Sequence, residues 1–96
     1  MLILITYDVS TVDSAGRRRL ARVAKTCRNF GQRVQYSVFE CVVDSTQFRQ
    51  LQHELKSLID AKRDSLRFYN LGDKYKSKII HIGTKESYDV EGPLIL

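Results

Sequence analysis

The stretch Gln-Arg-Val-Gln-Tyr-Ser-Val-Phe-Glu-Cys-Val-Val, residues 32–43, decides the order of secondary structure in this chain. It is rich in β-branched and aromatic residues and contains no Gly, Pro, Asn or Asp, which predicts extended backbone. Its twelve residues exceed the length of an ordinary strand. We therefore interpret it as two short strands that meet near Tyr36 and Ser37. A single bent strand is the alternative, because no strong turn dipeptide marks the break.

An apolar strand and a basic helix are predicted before this stretch. Met1 to Tyr7 is too short for a helix and is apolar on both alternations, which indicates a central strand that ends at Asp8. Turn and cap residues follow, among them Asp13, and they predict a helix start. The helix has an apolar stripe made of Leu20, Val23, Ala24 and Cys27. Gly31 marks its expected end.

A second helix and two further strands are predicted after residue 43. Asp44 and Gln47 have the spacing of a capping box. The apolar residues of the helix that follows are Phe48, Leu51, Leu55, Leu58 and Ile59. Ser65 to Leu71 is the next predicted strand, Gly72 and Asp73 form a turn, and Ile79 to Gly83 is the last strand.

The order strand, helix, strand, strand, helix, strand predicts an α+β protein with the ferredoxin-like βαββαβ fold and an additional C-terminal strand. Both helices then lie on one face of an antiparallel sheet. We expect one domain over residues 1–84 and a C-terminal tail over residues 85–96. The uncovered sheet face predicts a homodimer, in which the fifth strand and the apolar ending 93–96 pair with a partner's sheet edge.

Length and composition limit the protein to a small folded domain. With 96 residues and 43% hydrophobic composition, the chain is neither multidomain nor disordered. Its longest apolar run, Leu2 to Ile5, is far shorter than a membrane span, so no membrane association is expected. No signal peptide is visible, and Cys27 and Cys41 do not have the spacing of a disulfide scaffold. A cytoplasmic protein with reduced thiols is expected.

The positive charge is concentrated in one segment. The net charge is +5, and no acidic residue occurs between Ser14 and Phe39. Seven basic residues occur there: Arg17, Arg18, Arg19, Arg22, Lys25, Arg28 and Arg33. Such a block favours a polyanionic partner such as nucleic acid, with a solvated basic face as the alternative. Arg18, Arg22 and Lys25 share a helix face turned away from the apolar stripe.

Asp8 is the residue best placed for chemistry. A carboxylate at the end of an apolar strand, beside a hydroxyl-rich turn, offers the oxygen ligand that Mg²⁺ or Mn²⁺ prefers. A turn or N-cap aspartate is the alternative interpretation. One carboxylate per chain holds a catalytic metal poorly, but a twofold dimer brings two copies of Asp8 together around an ion that activates water against a phosphodiester.

Three segments resemble a known family: Leu-Ile-Thr-Tyr-Asp-Val-Ser at 4–10, Arg-Arg-Arg-Leu-Ala-Arg-Val-Ala at 17–24, and Gly-Gln-Arg-Val-Gln-Tyr-Ser-Val-Phe-Glu at 31–40. In this order and spacing, they resemble the small CRISPR-associated endoribonuclease family, "CRISPR-associated protein two". The last segment is the most specific. The resemblance covers most of residues 2–83.

The resemblance implies a ferredoxin-like homodimer in which two copies of Asp8 bind Mg²⁺, or Mn²⁺. Its members are nucleases of single-stranded RNA or double-stranded DNA, and they join the integrase "CRISPR-associated protein one" during spacer acquisition. By position, Tyr7 adjoins the metal ligand and Phe39 lies near the site. The arginines implied to face phosphates are Arg19, Arg22 and Arg33. Ser10 and Ser37 are lesser contributors.

The sequence supports two candidate functions for this protein. In the first, the protein is a metal-dependent endonuclease whose Asp8 pair is catalytic and whose basic residues, Arg18 included, hold the nucleic-acid backbone. In the second, it is a non-catalytic DNA-binding scaffold whose partner performs the chemistry. Only the first requires Asp8. A ferredoxin-like RNA-binding module is a third possibility, but the chain lacks the aromatic strand motif with which such modules stack bases.

Overall fold

Two helices and four strands make up the part of the chain described by the computed structural model, residues 1–83. In chain order, the elements are β1 (Leu2–Asp8), α1 (Ser14–Phe30), β2 (Gln32–Gln35), β3 (Val38–Val42), α2 (Ser45–Leu58) and β4 (Ser65–Asn70). A short 3₁₀ turn follows at Lys76–Lys78. The two-strand interpretation of residues 32–43 is confirmed, because Tyr36 and Ser37 form the turn between β2 and β3.

The sheet is antiparallel throughout, with strand order β2-β3-β1-β4. β1 is central, as its apolar character on both alternations predicted. Ile5 lies opposite Phe39 of β3 on one side and Phe68 of β4 on the other. The α+β class and the ferredoxin-like arrangement are therefore confirmed.

Both helices begin at the predicted caps. The Asp13 carboxylate accepts a hydrogen bond of 2.8 Å from the Gly16 amide at the start of α1. At the start of α2, Asp44 and Gln47 form the reciprocal capping box, with distances of 2.7 and 2.9 Å. These bonds satisfy amides that have no partner inside the helix.

The end of α1 at Gly31 is confirmed, but for a different physical reason than the usual one. Its φ of −170° is extended backbone that any residue adopts, not the left-handed conformation of many C-terminal glycines. A Cβ at this position would collide with the carbonyl oxygen of Glu40 and lie 2.6 Å from the Cys41 sulfur. Gly31 is needed because the end of α1 passes directly against β3.

The main core lies between the helices and one face of the sheet. Alternate residues of β1, namely Ile3, Ile5 and Tyr7, pack there with Phe39 and the buried residues of both helices. Both cysteines are free and buried in this layer. Burial raises the pKa of Cys27 and of Cys41 to about 12, so both remain protonated core thiols rather than nucleophiles.

The predicted fifth strand at residues 79–83 is wrong for the single chain. After β4 the backbone turns at Gly72, where φ is +77°, and residues 79–83 lie alongside no strand. Ile80 and Ile82 are 84% and 89% exposed. Apolar β-branched residues form a strand only where a neighbouring edge accepts their backbone hydrogen bonds, and residues 79–83 pair with neither edge strand of the sheet, β2 or β4.

The boundary at residue 84, the tail 85–96 and its apolar ending lie outside the described residues. Within residues 1–83, no helix is both long enough and apolar enough to cross a membrane.

Candidate functional site

Asp8 occupies the accessible end of the central strand. It is the last residue of β1 and lies opposite Ser65. On the sheet face turned away from the helices, Leu2 is buried, Leu4 and Thr6 are half-buried, and Asp8 is exposed. Its carboxylate has no hydrogen bond or ion pair with any of residues 1–83. Because Asp13 caps α1, Asp8 is not the helix cap that the alternative interpretation proposed.

A buried carboxylate, Asp64, fixes the loop that follows Asp8. It accepts hydrogen bonds from the Ser10 amide at 3.0 Å and the Asp60 amide at 2.9 Å. It also pairs with Arg19, whose Nε lies 2.9 Å away, and its side chain has no solvent exposure. Arg19, and secondarily the two amides, hold the pKa of Asp64 at about 2, against the opposing effect of burial.

Two predicted site residues, Arg19 and Ser10, are bound to Asp64 in this arrangement. Arg19 is only 17% exposed and already pairs with a carboxylate, so the structure places it against Asp64 and not on the open surface. Ser10 is tied through its backbone amide. Sequence reasoning missed Asp64 because its partner Arg19 is 45 residues away and Asp64 itself belongs to none of the segments that carry the family resemblance.

Three other predicted residues lie together on the helix-facing side of the sheet. The Tyr7 and Phe39 rings are stacked with centroids 6.2 Å apart. The Arg33 guanidinium carbon lies 5.2 Å from the centroid of the Phe39 ring, within cation–π distance. Since side chains alternate along a strand, Tyr7 and Asp8 point to opposite faces. The structure therefore brings Tyr7, Arg33 and Phe39 together but separates them from the Asp8 carboxylate.

Arg18 and Arg22 remain on an open basic surface. Both are exposed on α1, one turn apart, on the side away from the buried Val23 and Cys27. Their exposure leaves both guanidinium groups accessible to phosphates, and the phosphate contact itself stays a prediction.

The donor set for a metal is incomplete in one chain. No group of three or more His, Cys, Asp or Glu side chains is close enough to hold a metal ion in residues 1–83. The exposed carboxylate of Asp8, which has no partner within residues 1–83, suits a hard divalent cation, but the described part of the chain does not complete a metal site around it.

Comparison with known proteins identifies the family. Residues 1–79 match the family described as "CRISPR associated protein Cas2". The "CRISPR-associated endonuclease Cas2" of Halalkalibacterium halodurans is 62% identical over 95 residues, which cover 99% of each chain. The "CRISPR-associated endoribonuclease Cas2" of Nitratidesulfovibrio vulgaris is 58% identical over 96 residues, covering 100% of this chain and 94% of the relative.

Solved structures agree with this assignment. The crystal structure of Streptococcus pyogenes Cas2 at pH 6.5 matches with a TM-score of 0.76 and 49% identity, over 86% of this chain and 100% of that one. A hypothetical protein from Thermus thermophilus, TT1823, matches with a TM-score of 0.70 and 29% identity, over 86% and 90% of the two chains. Sequence, fold and the strand-end aspartate all lead to one conclusion: the chain belongs to the Cas2 family of CRISPR-associated proteins.

Proposed function

We propose that this protein is a metal-dependent endonuclease of CRISPR adaptive immunity that hydrolyses phosphodiester bonds in single-stranded RNA, double-stranded DNA or both. The observation that supports the proposal is the exposed carboxylate of Asp8, which has no partner within residues 1–83. Unlike Asp64, it is not committed to holding the fold together. The names of the two relatives, one an endonuclease and the other an endoribonuclease, support the same reaction class.

The proposed active unit is a homodimer. Residues 1–83 do not complete a metal site around Asp8, and a twofold axis near the Asp8 end of the open sheet face would bring two copies of this carboxylate together. The pair would hold Mg²⁺, or Mn²⁺. When bound, such an ion lowers the pKa of a coordinated water and offsets the charge that develops on the phosphate.

The other residues would bind and position the substrate. The exposed guanidinium groups of Arg18 and Arg22 would contact backbone phosphates without reading bases. Arg19 would act indirectly, as a positioning residue, because it holds Asp64 and through it the Ser10 loop beside Asp8. On the other face, the exposed Arg33 would contact nucleic acid, while the buried rings of Tyr7 and Phe39 would support its guanidinium from below.

The decisive experiment compares wild type with Asp8→Asn on labelled single-stranded RNA and double-stranded DNA, with Mg²⁺, with Mn²⁺ and with chelator. Asp73→Asn is the matched control, because Asp73 is 90% exposed and pairs only with the chain's amino terminus. We expect metal-dependent cleavage by wild type and the control, and a loss of at least about a hundredfold in Asp8→Asn. Sedimentation should show dimers in all three.

Cleavage by Asp8→Asn at the wild-type rate would contradict the catalytic role. A non-catalytic scaffold for the CRISPR integrase is the second candidate, favoured by the exposed arginines of α1 and by the incomplete metal site within residues 1–83. It would be supported if wild type cleaved nothing under any condition but still bound duplex DNA and "CRISPR-associated protein one".

A further inference from the structure

A cavity of about 280 Å³ lies between α1 and the turn that joins β2 to β3. Its floor is formed by small and apolar side chains of α1, including Ala24. Its polar lining consists of Tyr7, Arg17, Arg28, Arg33 and Tyr36. The lining contains three guanidinium groups and no carboxylate, so nothing in its wall neutralises the positive charge.

The Tyr7 hydroxyl is an unsatisfied group in this cavity wall. Tyr7 is only 6% exposed, and its buried hydroxyl has no hydrogen-bond acceptor among residues 1–83. Burial raises the pKa of Tyr7, and the nearby Arg33 lowers it only in part, so the hydroxyl keeps its proton. The arginine side chains around it can only donate hydrogen bonds. The proton therefore needs an acceptor that the arginines cannot supply.

The rim of the cavity offers a surface for an aromatic ring. Tyr36 lies in the β2–β3 turn and is 84% exposed. The Arg33 guanidinium carbon lies 5.9 Å from the centroid of the Tyr36 ring. An exposed tyrosine with an arginine over it is a common stacking platform for nucleobases.

We infer that this cavity binds a nucleoside phosphate, with the phosphate accepting from the Tyr7 hydroxyl and the three arginines and the base stacking at Tyr36. The inference rests on the proposed function and adds to it a second nucleic-acid contact. Tyr7 and Asp8 point to opposite sheet faces, so a nucleotide here is held away from the Asp8 carboxylate. The cavity therefore binds a nucleotide without cleaving it, at a site separate from Asp8.

The test titrates the full-length protein with AMP, inorganic phosphate and adenosine, monitored by calorimetry and by amide chemical shifts. We expect AMP to bind more tightly than phosphate or adenosine, with shifts at the β2–β3 turn and α1. Tyr7→Phe and Arg28→Gln should each weaken AMP binding by about tenfold, because each removes a hydrogen bond to a charged group. Arg49→Gln is the matched control, since Arg49 is an exposed arginine on α2 outside the cavity.

Tyr7→Phe also separates binding from folding. It removes only a hydroxyl that has no partner, so its melting temperature should equal or exceed that of wild type while its AMP affinity falls. A structural role for the hydroxyl would instead lower the melting temperature. Equal AMP affinity in wild type, Tyr7→Phe and Arg28→Gln, or no AMP binding by wild type, would overturn the inference.

Competition experiments with two oligonucleotides identify the source of the nucleotide. A short single-stranded RNA with a 5′-phosphate that competes with AMP, when the same RNA with a 5′-hydroxyl does not, indicates a strand end. Competition by neither RNA indicates a free nucleotide. The experiment distinguishes this inference from the proposed nuclease activity. AMP binding without any cleavage would contradict only the nuclease proposal. Cleavage without AMP binding would contradict only the inference about the cavity.

Discussion

Asp64 shows how a single residue can determine the position of a site to which it does not belong. Its carboxylate is inaccessible and accepts from Arg19, Ser10 and Asp60, so it joins α1, the loop after Asp8 and the loop before β4. A buried carboxylate with this many donors is stabilised in its charged form. The fold and the placement of Asp8 therefore depend on the ionisation of a residue without a catalytic role.

The ionisation of Asp64 predicts a defined loss of stability in acid. The pKa of Asp64 is about 2 in the folded chain against an ordinary value of 3.8, so its stabilisation is complete above about pH 4 and is lost as the pH falls towards 2. Urea unfolding at several pH values should show a falling free energy of unfolding in this window. Asp64→Asn should be less stable at neutral pH and show a flatter acid profile, whereas Asp73→Asn should keep the wild-type profile. A wild-type acid profile in Asp64→Asn would contradict this account.

The sequence correctly predicted the structural position of a residue where that position depends only on the residue itself and its near neighbours in the chain. Asp8 at a strand end and Asp13 at a helix start are of this kind. That Tyr7 and Asp8 lie on opposite faces also follows from strand alternation. The pairing of Arg19 with Asp64 could not be predicted, because it depends on how helix α1 packs against the loop before β4, 45 residues away.

At the scale of elements, helix α1 is positioned by two glycines that leave room for neighbouring backbone. Gly16 in the first turn is buried, and a Cβ there would collide with the carbonyl oxygen of Ser10 and lie 3.2 Å from the Asp13 carboxylate. At the other end, Gly31 allows the close approach to β3. The helix is thus fixed at both ends by close packing.

The packing at Gly16 predicts a result opposite to helix propensity. In an unconstrained helix, glycine to alanine stabilises by about 1 kcal/mol. Here Gly16→Ala should lower the free energy of unfolding by about 1–3 kcal/mol, because the Ser10 loop must move. Ala21→Gly, at an exposed position of the same helix, should lower it by about 1 kcal/mol and serves as the control. Thermal or urea unfolding measures both, and a more stable Gly16→Ala would show that the loop yields freely.

The elements themselves were largely predictable, and the one failure has a simple cause. The helices and β1–β4 carry their own signals in caps, stripes and apolar runs. A strand at residues 79–83 also depends on pairing with a sheet edge, and this segment pairs with neither β2 nor β4, which leaves Ile80 and Ile82 exposed. Local sequence therefore predicted extended character but could not supply the partner.

At the scale of the whole molecule, the candidate functional residues are divided between the two faces of the sheet. The helix-facing side holds the core together with Tyr7, Arg33 and Phe39 at its edge, while the other side ends in the exposed Asp8. The basic helix α1 adds a surface with exposed arginines. Strand alternation alone separates Tyr7 from Asp8, but the position of Arg33 and Phe39 on the side of Tyr7 depends on how β1, β2 and β3 pair.

The basic surface of α1 predicts a salt-dependent and sequence-independent interaction with duplex DNA. The double variant Arg18→Gln, Arg22→Gln should weaken binding and reduce the slope of log K against log salt by up to about two units, because fewer counterions are released. Replacing Arg49 and Lys56 of α2 with glutamine removes the same charge elsewhere and should leave the slope unchanged. Equal slopes for both double variants would place the DNA on another surface.

The central position of β1 has a further consequence during synthesis. β1 precedes both of its partners, β3 and β4, along the chain, and β4 ends only at Asn70. At typical rates of translation, residues 9–70 take roughly 3 to 12 seconds to make. Until β4 is made, at least one edge of the apolar strand β1 lacks its partner, and an unpaired strand edge favours aggregation.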